Sequence, residues 1–123
     1  MGREVPENLL MADKIILNAG KKKEIVSYVN RLRQDGLTIE KIIIFGSHAR
    51  NKAKPWSDID LCIVSRKFGA DRFAERIWLM KRRNLDTADI EPHPYNPKDL
   101  ADKWDPLAEE IKKYGIEWQE VAP

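Results

Sequence analysis

The chain has 123 residues, 22 Lys+Arg against 20 Asp+Glu for a net charge of +2, two His and one Cys. At roughly 100–200 residues per domain this is the length of one domain, 1–123, with room for a single core. The near balance of charge excludes a polyelectrolyte tail and gives no bulk attraction to nucleic acid. A lone Cys62 forms no intrachain disulfide, and with two scattered His it makes no zinc cluster.

From the N-terminus, Met1 to Glu7 carries acids and no following long apolar segment, unlike a signal peptide. Pro6 stands where a myristoylation motif needs Ser or Thr. No stretch approaches the ~20 apolar residues that cross a membrane. The expected location is cytoplasmic. Residues 7–18 predict a short helix, broken at Asn18-Ala19-Gly20. From Lys21 to about Gln34, Ile25, Val26, Val29 and Leu32 recur at helical spacing, with Gly36 in the position of a C′ glycine. Lys21-Lys22-Lys23 reads as the solvated first turn of that helix rather than a phosphate patch.

Lys41 to Phe45 is an apolar β-branched run, a strand buried on both faces. A polar loop over 51–57 leads to a second strand, Asp58 to Val64, in which Cys62 reads as a core residue. Asp71 caps a helix predicted to run to Asn84. Thr87 to Glu91 predicts a short third strand stopped by Pro92 and Pro94. Pro97 and Pro106 open helices over 98–104 and 107–114, and 116–119 adds an edge strand. The fold class is α/β: a short mixed sheet with helices packed on it. The four Trp are spread through loop, helix and edge, not alternating along one strand as a base-stacking platform would require.

The chemistry concentrates at Gly46-Ser47-His48-Ala49-Arg50 and Ser57-Asp58-Ile59-Asp60-Leu61. Asp58 and Asp60 lie two apart, so on a strand their carboxylates share a face, with Cα atoms ~7 Å apart. Two like charges without a basic partner in sequence suit a hard divalent cation completed by substrate phosphates, as Mg²⁺ prefers. Gly46-Ser47 ends a buried strand; glycine admits close backbone approach, the following amides open a helix N-terminus that favours an anion, and Ser47 adds a hydroxyl. Phosphates on one side and metal on the other describe a nucleoside triphosphate with its magnesium. Two-metal phosphoryl chemistry needs a further carboxylate. Glu91, last before Pro92, is the choice, with Asp89 as the alternative.

Gly46-Ser47, ten residues, then Asp58-Ile59-Asp60 resembles the signature of the minimal nucleotidyltransferases of the polymerase-β superfamily. The resemblance extends through 90–97 to 110–116, with His48 in place of a frequent Arg and Asn51 in place of a frequent Gly. Aligning on Pro94-Tyr95 and Pro97 puts Glu91 in the family's third carboxylate position, where Asp is common. The resemblance implies a polymerase-β-type fold that moves a nucleoside monophosphate, AMP from ATP by the family's default, to an acceptor hydroxyl. Asp58, Asp60 and Glu91 would hold Mg²⁺, two ions in all, with Glu91 the candidate base. Gly46 and Ser47 would bind the β and γ phosphates. Arg50 either joins them or makes an ordinary salt bridge.

Only 32 residues follow Glu91, too few for the helical domain with which relatives that modify small molecules build an acceptor pocket. The acceptor site is therefore expected to be shared with a second copy or a partner. The resemblance points to an antitoxin paired with a HEPN-type toxin, adenylylated on a tyrosine. Two other classes stand beside it: a non-catalytic module that neutralises its partner by contact, and a nucleic-acid binder using Arg76, Lys81, Arg82 and Arg83.

Overall fold

The computed structural model describes residues 17–119, and the helix expected over 7–18 falls almost wholly outside them. Helix α1 (Ala19–Gln34) starts at Asn18, whose side chain accepts the Lys21 amide at 2.8 Å. Asn18 therefore begins the helix where a break was expected, which is what an Asx side chain does for an orphan N–H. Its buried stripe runs Lys21, Ile25, Tyr28, Val29, Leu32. Lys21 is thus on the inner face, 7% exposed; only Lys22 and Lys23 match the solvated turn expected for all three. Gly36 takes φ +92° just past the helix, where the Leu32 and Arg33 carbonyls are closed by the amides of Leu37 and Gly36.

Strands β1 (Lys41–Phe45), β2 (Ile59–Val64), β3 (Ile90–Tyr95) and β4 (Ile116–Glu117) form one mixed sheet in the order β3-β2-β1-β4. β1 is antiparallel to β2 and β4, and β2 is parallel to β3. Alternation along the strands separates two cores. Ile42, Ile44, Ile59, Leu61, Ile63 and Ile90 bury with Ile25, Tyr28, Val29 and Leu32 of α1 and with Leu79. Phe45, Cys62, Val64 and Tyr95 bury on the opposite face with Ala108 and Ile111. Burial pushes the Cys62 thiol up to about 12, so it is an inert core group.

Helix α2 (Arg72–Met80) is capped by Asp71, which accepts the Ala74 amide at 3.1 Å. It ends four residues before the expected Asn84. Arg82 and Arg83 turn back to the Trp78 and Met80 carbonyls, and Asn84 opens a 3₁₀ turn, Leu85–Thr87, through a capping box with Thr87. The Tyr28 hydroxyl donates to the Leu79 carbonyl at 2.7 Å and ties α1 to the end of α2. Helix α3 is shorter than expected, Pro97–Leu100, and α4 is Pro106–Tyr114 with Pro106 in its first turn.

The third strand also differs from expectation: it runs through both prolines. The Asp89 and Tyr95 carbonyls accept from Ile59 and Ser65, while the Ile90 carbonyl turns outward to Arg83. Odd-numbered residues therefore face β2, and Pro92 and Pro94 occupy outward positions of an edge strand, where a missing N–H breaks no ladder bond. Among the described residues no helix is long and apolar enough to cross a membrane.

Candidate active site

On the α4 side of the sheet, Phe45, Asp60 and Glu91 stand in one cross-strand row, followed by Ile43, Cys62 and His93. Helix α4 covers the Cys62 and Val64 end of this face. The end holding Asp60 stays half-open. One ligand atom each from Asp60, Glu91 and His93 lies within 4.8 Å of the others. Asp60 Oδ1 faces His93 Nε2 at 3.4 Å, and Glu91 Oε2 faces Arg76 Nη2 at 3.3 Å. The like charges of the two carboxylates are thereby each set against a basic group.

Asp58 stands exposed one residue before β2 and makes no hydrogen bond or ion pair among the described residues. Its position is set through its neighbour. The Ser57 carbonyl accepts from Lys21 Nζ at 3.2 Å and pairs with His48 Nε2 at 3.3 Å. A carbonyl only accepts, so Nε2 carries the proton, and the buried His48 Nδ1 has no hydrogen-bond partner among the described residues. Asp89, the alternative third carboxylate, lies 3.9 Å from Lys21 Nζ, while its amide donates to Glu24. Burial, with the Asp89 charge beside it, pushes the Glu24 carboxyl above its ordinary range. Of the two acids of that segment, the structure brings Glu91 to Asp60 and leaves Asp89 with α1.

Gly46 takes φ +74°, and a Cβ built on it would overlap the Asp60 carboxylate. The strand end thus packs its bare backbone directly on the acid. The residues after it form turns over 46–51 rather than the expected helix, closed by Arg50 N to Gly46 O and Lys52 N to Ser47 O. Asn51, at φ +55°, redirects the chain. Ser47 is half-buried in this turn. Arg50 lies with its guanidinium 4.5 Å from the centre of the Tyr114 ring, a cation–π contact rather than a salt bridge.

His93 is the residue the sequence reading missed. The two-residue spacing that groups Asp58 with Asp60 groups Glu91 with His93 as well, and that signal was available. The basic cluster on and just after α2 is largely used within the molecule: Arg76 on Glu91, Arg82 at 2.9 Å from Asp35, Arg83 on the Ala88 and Ile90 carbonyls. A cleft of about 370 Å³ lies elsewhere, beside Leu37, Phe68 and Trp78, and is not lined by Asp58, Asp60, Glu91 or His93.

Residues 22–117 match the family model described as "Nucleotidyltransferase domain". The chain belongs to this family. Two solved structures share the fold. A protein provisionally described as a nucleotidyltransferase from Sulfolobus solfataricus is 17% identical, with a TM-score of 0.57 over 98% of this chain and 92% of that one. A toxin-antitoxin crystallised with AMP-PNP is 22% identical, with a TM-score of 0.52 over 80% of this chain and 73% of that one. No curated protein matches. The four-stranded mixed sheet with its helices is thus the polymerase-β-type nucleotidyltransferase fold, and the acidic cluster sits on it at the sheet's open end.

Proposed function

We propose that this nucleotidyltransferase-domain protein transfers a nucleoside monophosphate, AMP from ATP, to a hydroxyl of a partner protein, a tyrosine of a HEPN-type toxin, and so acts as an antitoxin. The observation that carries the transfer is the row that pairs Asp60 with Glu91 under the Gly46 turn. The toxin-antitoxin with AMP-PNP among its structural neighbours supports the choice of partner and nucleotide.

The two carboxylates fit a divalent cation: Asp60 and Glu91 each offer an oxygen, the two within 4.8 Å of one another and both half-exposed. Asp60 and Glu91, with Asp58 from the rim, would hold Mg²⁺, two ions in the family's manner. When bound, these ions neutralise phosphate charge. The Gly46 turn and the Ser47 hydroxyl receive the β and γ phosphates. Arg50 swings from its cation–π contact with Tyr114 to join them. Lys21 and His48 hold Ser57, and with it the approach of Asp58. In the transfer, the acceptor oxygen bonds to the α-phosphorus, the bond from that phosphorus to the pyrophosphate oxygen breaks, and Glu91 takes the acceptor proton. Positioning and charge do most of such work, so few side chains suffice.

The test is calorimetric. A non-hydrolysable ATP analogue binds the wild type only with Mg²⁺ and does not bind Asp60→Asn. The partner, incubated with this chain and Mg-ATP, then gains the mass of one AMP. Absence of analogue binding in every condition, with the partner still neutralised, replaces this reading with that of a non-catalytic binding module.

A further inference from the structure

His93 has no part in the chemistry just described, yet it is the most constrained donor of the cluster. Its side chain is 15% exposed, and its ring meets the Phe45 ring edge-on, centroids 5.0 Å apart at 63°. Glu91 and His93 each precede a proline, and a following proline confines a residue to extended backbone. The Glu91-Pro92-His93-Pro94 segment therefore holds two donors in fixed extended geometry, projecting to one face beside Asp60. Little conformational freedom remains to be lost when they converge on an ion.

The donor types matter as much as the placement. Mg²⁺ is a hard ion that keeps water and oxygen ligands, whereas an imidazole nitrogen suits first-row transition ions. A set of two carboxylates and one imidazole with open positions is therefore mismatched to magnesium alone. We propose that His93 is a metal ligand and that it shifts this site's preference from Mg²⁺ to a divalent transition ion, for which Mn²⁺ is the probe. The proposal rests on the nucleotidyltransferase reading only in taking the cluster as a cation site.

The competing role for His93 is that of a hydrogen-bond partner that merely offsets the Asp60 charge. The two predict opposite signs. Removing a ligand weakens Mn²⁺ binding selectively; removing a counter-charge frees Asp60 and leaves both ions bound as well as before, or better.

Mn²⁺ is titrated into the nucleotide-free protein and followed by its electron spin resonance, with Mg²⁺ as competitor, for wild type and His93→Gln. Expected are Mn²⁺ binding at least about tenfold tighter than Mg²⁺, and a loss of about tenfold for Mn²⁺ in His93→Gln with Mg²⁺ within about twofold. Bound Mn²⁺ in the wild type also shows ¹⁴N coupling in its spin echo, which disappears in the variant. That reading on the wild type is independent of how the variant folds. Bound Mn²⁺ without nitrogen coupling, equal changes for both ions, or no metal binding overturns the proposal. Failure of the transferase reading shows differently: Mn²⁺ binds with nitrogen coupling, but no nucleotide joins it.

Discussion

At Gly46 the backbone is left-handed at φ +74°, and the space a side chain needs is filled by the Asp60 carboxylate. Gly46→Ala therefore carries two separable effects. The left-handed conformation costs about 1–2 kcal/mol, seen as a lower denaturant midpoint. The displaced Asp60 costs nucleotide and metal affinity, expected to fall more than about tenfold, as for a misplaced group in a preorganised site. Wild-type affinity in the variant would mean that Asp60 has no part in binding. Lys21 presents the reverse case. Methionine fills its buried volume and removes an ammonium that must be desolvated, so Lys21→Met is expected to change stability by less than about 1 kcal/mol. The Ser57 carbonyl keeps only His48, the segment before Asp58 loosens, and analogue affinity drops in calorimetry. Unchanged affinity would show that the position of Asp58 does not matter. Lys21 was misread from sequence because three lysines opening a helix look solvated. Extending the apolar phase one turn back from Ile25 and Tyr28 puts Lys21 on the buried stripe, so the information was present in the pattern.

Among the elements, α4 depends on Asp105. Its carboxylate accepts the Leu107 and Ala108 amides at 3.0 and 3.3 Å, the Tyr95 hydroxyl at 2.9 Å and Arg72 at 3.2 Å, joining helix cap, strand end and α2. Partial burial raises its pKa, but these donors outweigh burial and hold it below the ordinary 3.8. A depressed carboxylate adds stability that is present above its unfolded value and is lost as pH falls through the folded one. Asp105→Ala is expected to cost about 2 kcal/mol at neutral pH. The deficit should narrow in melts taken from pH 5 down to below 3.8; a deficit constant with pH would refute the ionic part. The elements α1, β1, β2 and α4 were legible because each is short, periodic and bounded by caps or glycines. β3 was not. Its prolines are stops in a central strand and harmless at the outer edge of a parallel pair, and only the register tells which applies. The same error hid His93, since a strand ended at Glu91 cannot carry a ligand two residues further on. In the candidate site, spacing alone grouped Asp58 with Asp60; Glu91 was preferred to Asp89 from its place at the strand end and from the resemblance, and its pairing with Asp60 is a matter of register. The turns at 46–51 were not legible, since one helical turn and a chain of tight turns share the same residues.

For the whole molecule, the sheet divides its labour between its two faces. Against α1 it is apolar in every row, from Ile59 to Ile63 in β2 and through Ile42 and Ile44 in β1. On the α4 side, the rows alternate from core to charge within one strand: Val64 and Cys62 buried, Asp60 half-open. Stability thus resides mainly on one face and chemistry at one end of the other. Leu61→Ala, in the α1-side core, should cost about 2–5 kcal/mol, whereas Asp60→Asn next to it relieves the Asp60–Glu91 repulsion and should not lower the melting temperature. The separation also predicts how ligand acts. A metal–nucleotide complex at 100 times its dissociation constant stabilises the native state by about 2.7 kcal/mol, roughly a 10 °C rise in Tm for a chain of this size. Chelation with EDTA should return the melt to its starting value, and Asp60→Asn should melt at one temperature with or without the complex. A rise in Tm that survives in Asp60→Asn would place the binding site away from the Asp60–Glu91–His93 end of the sheet.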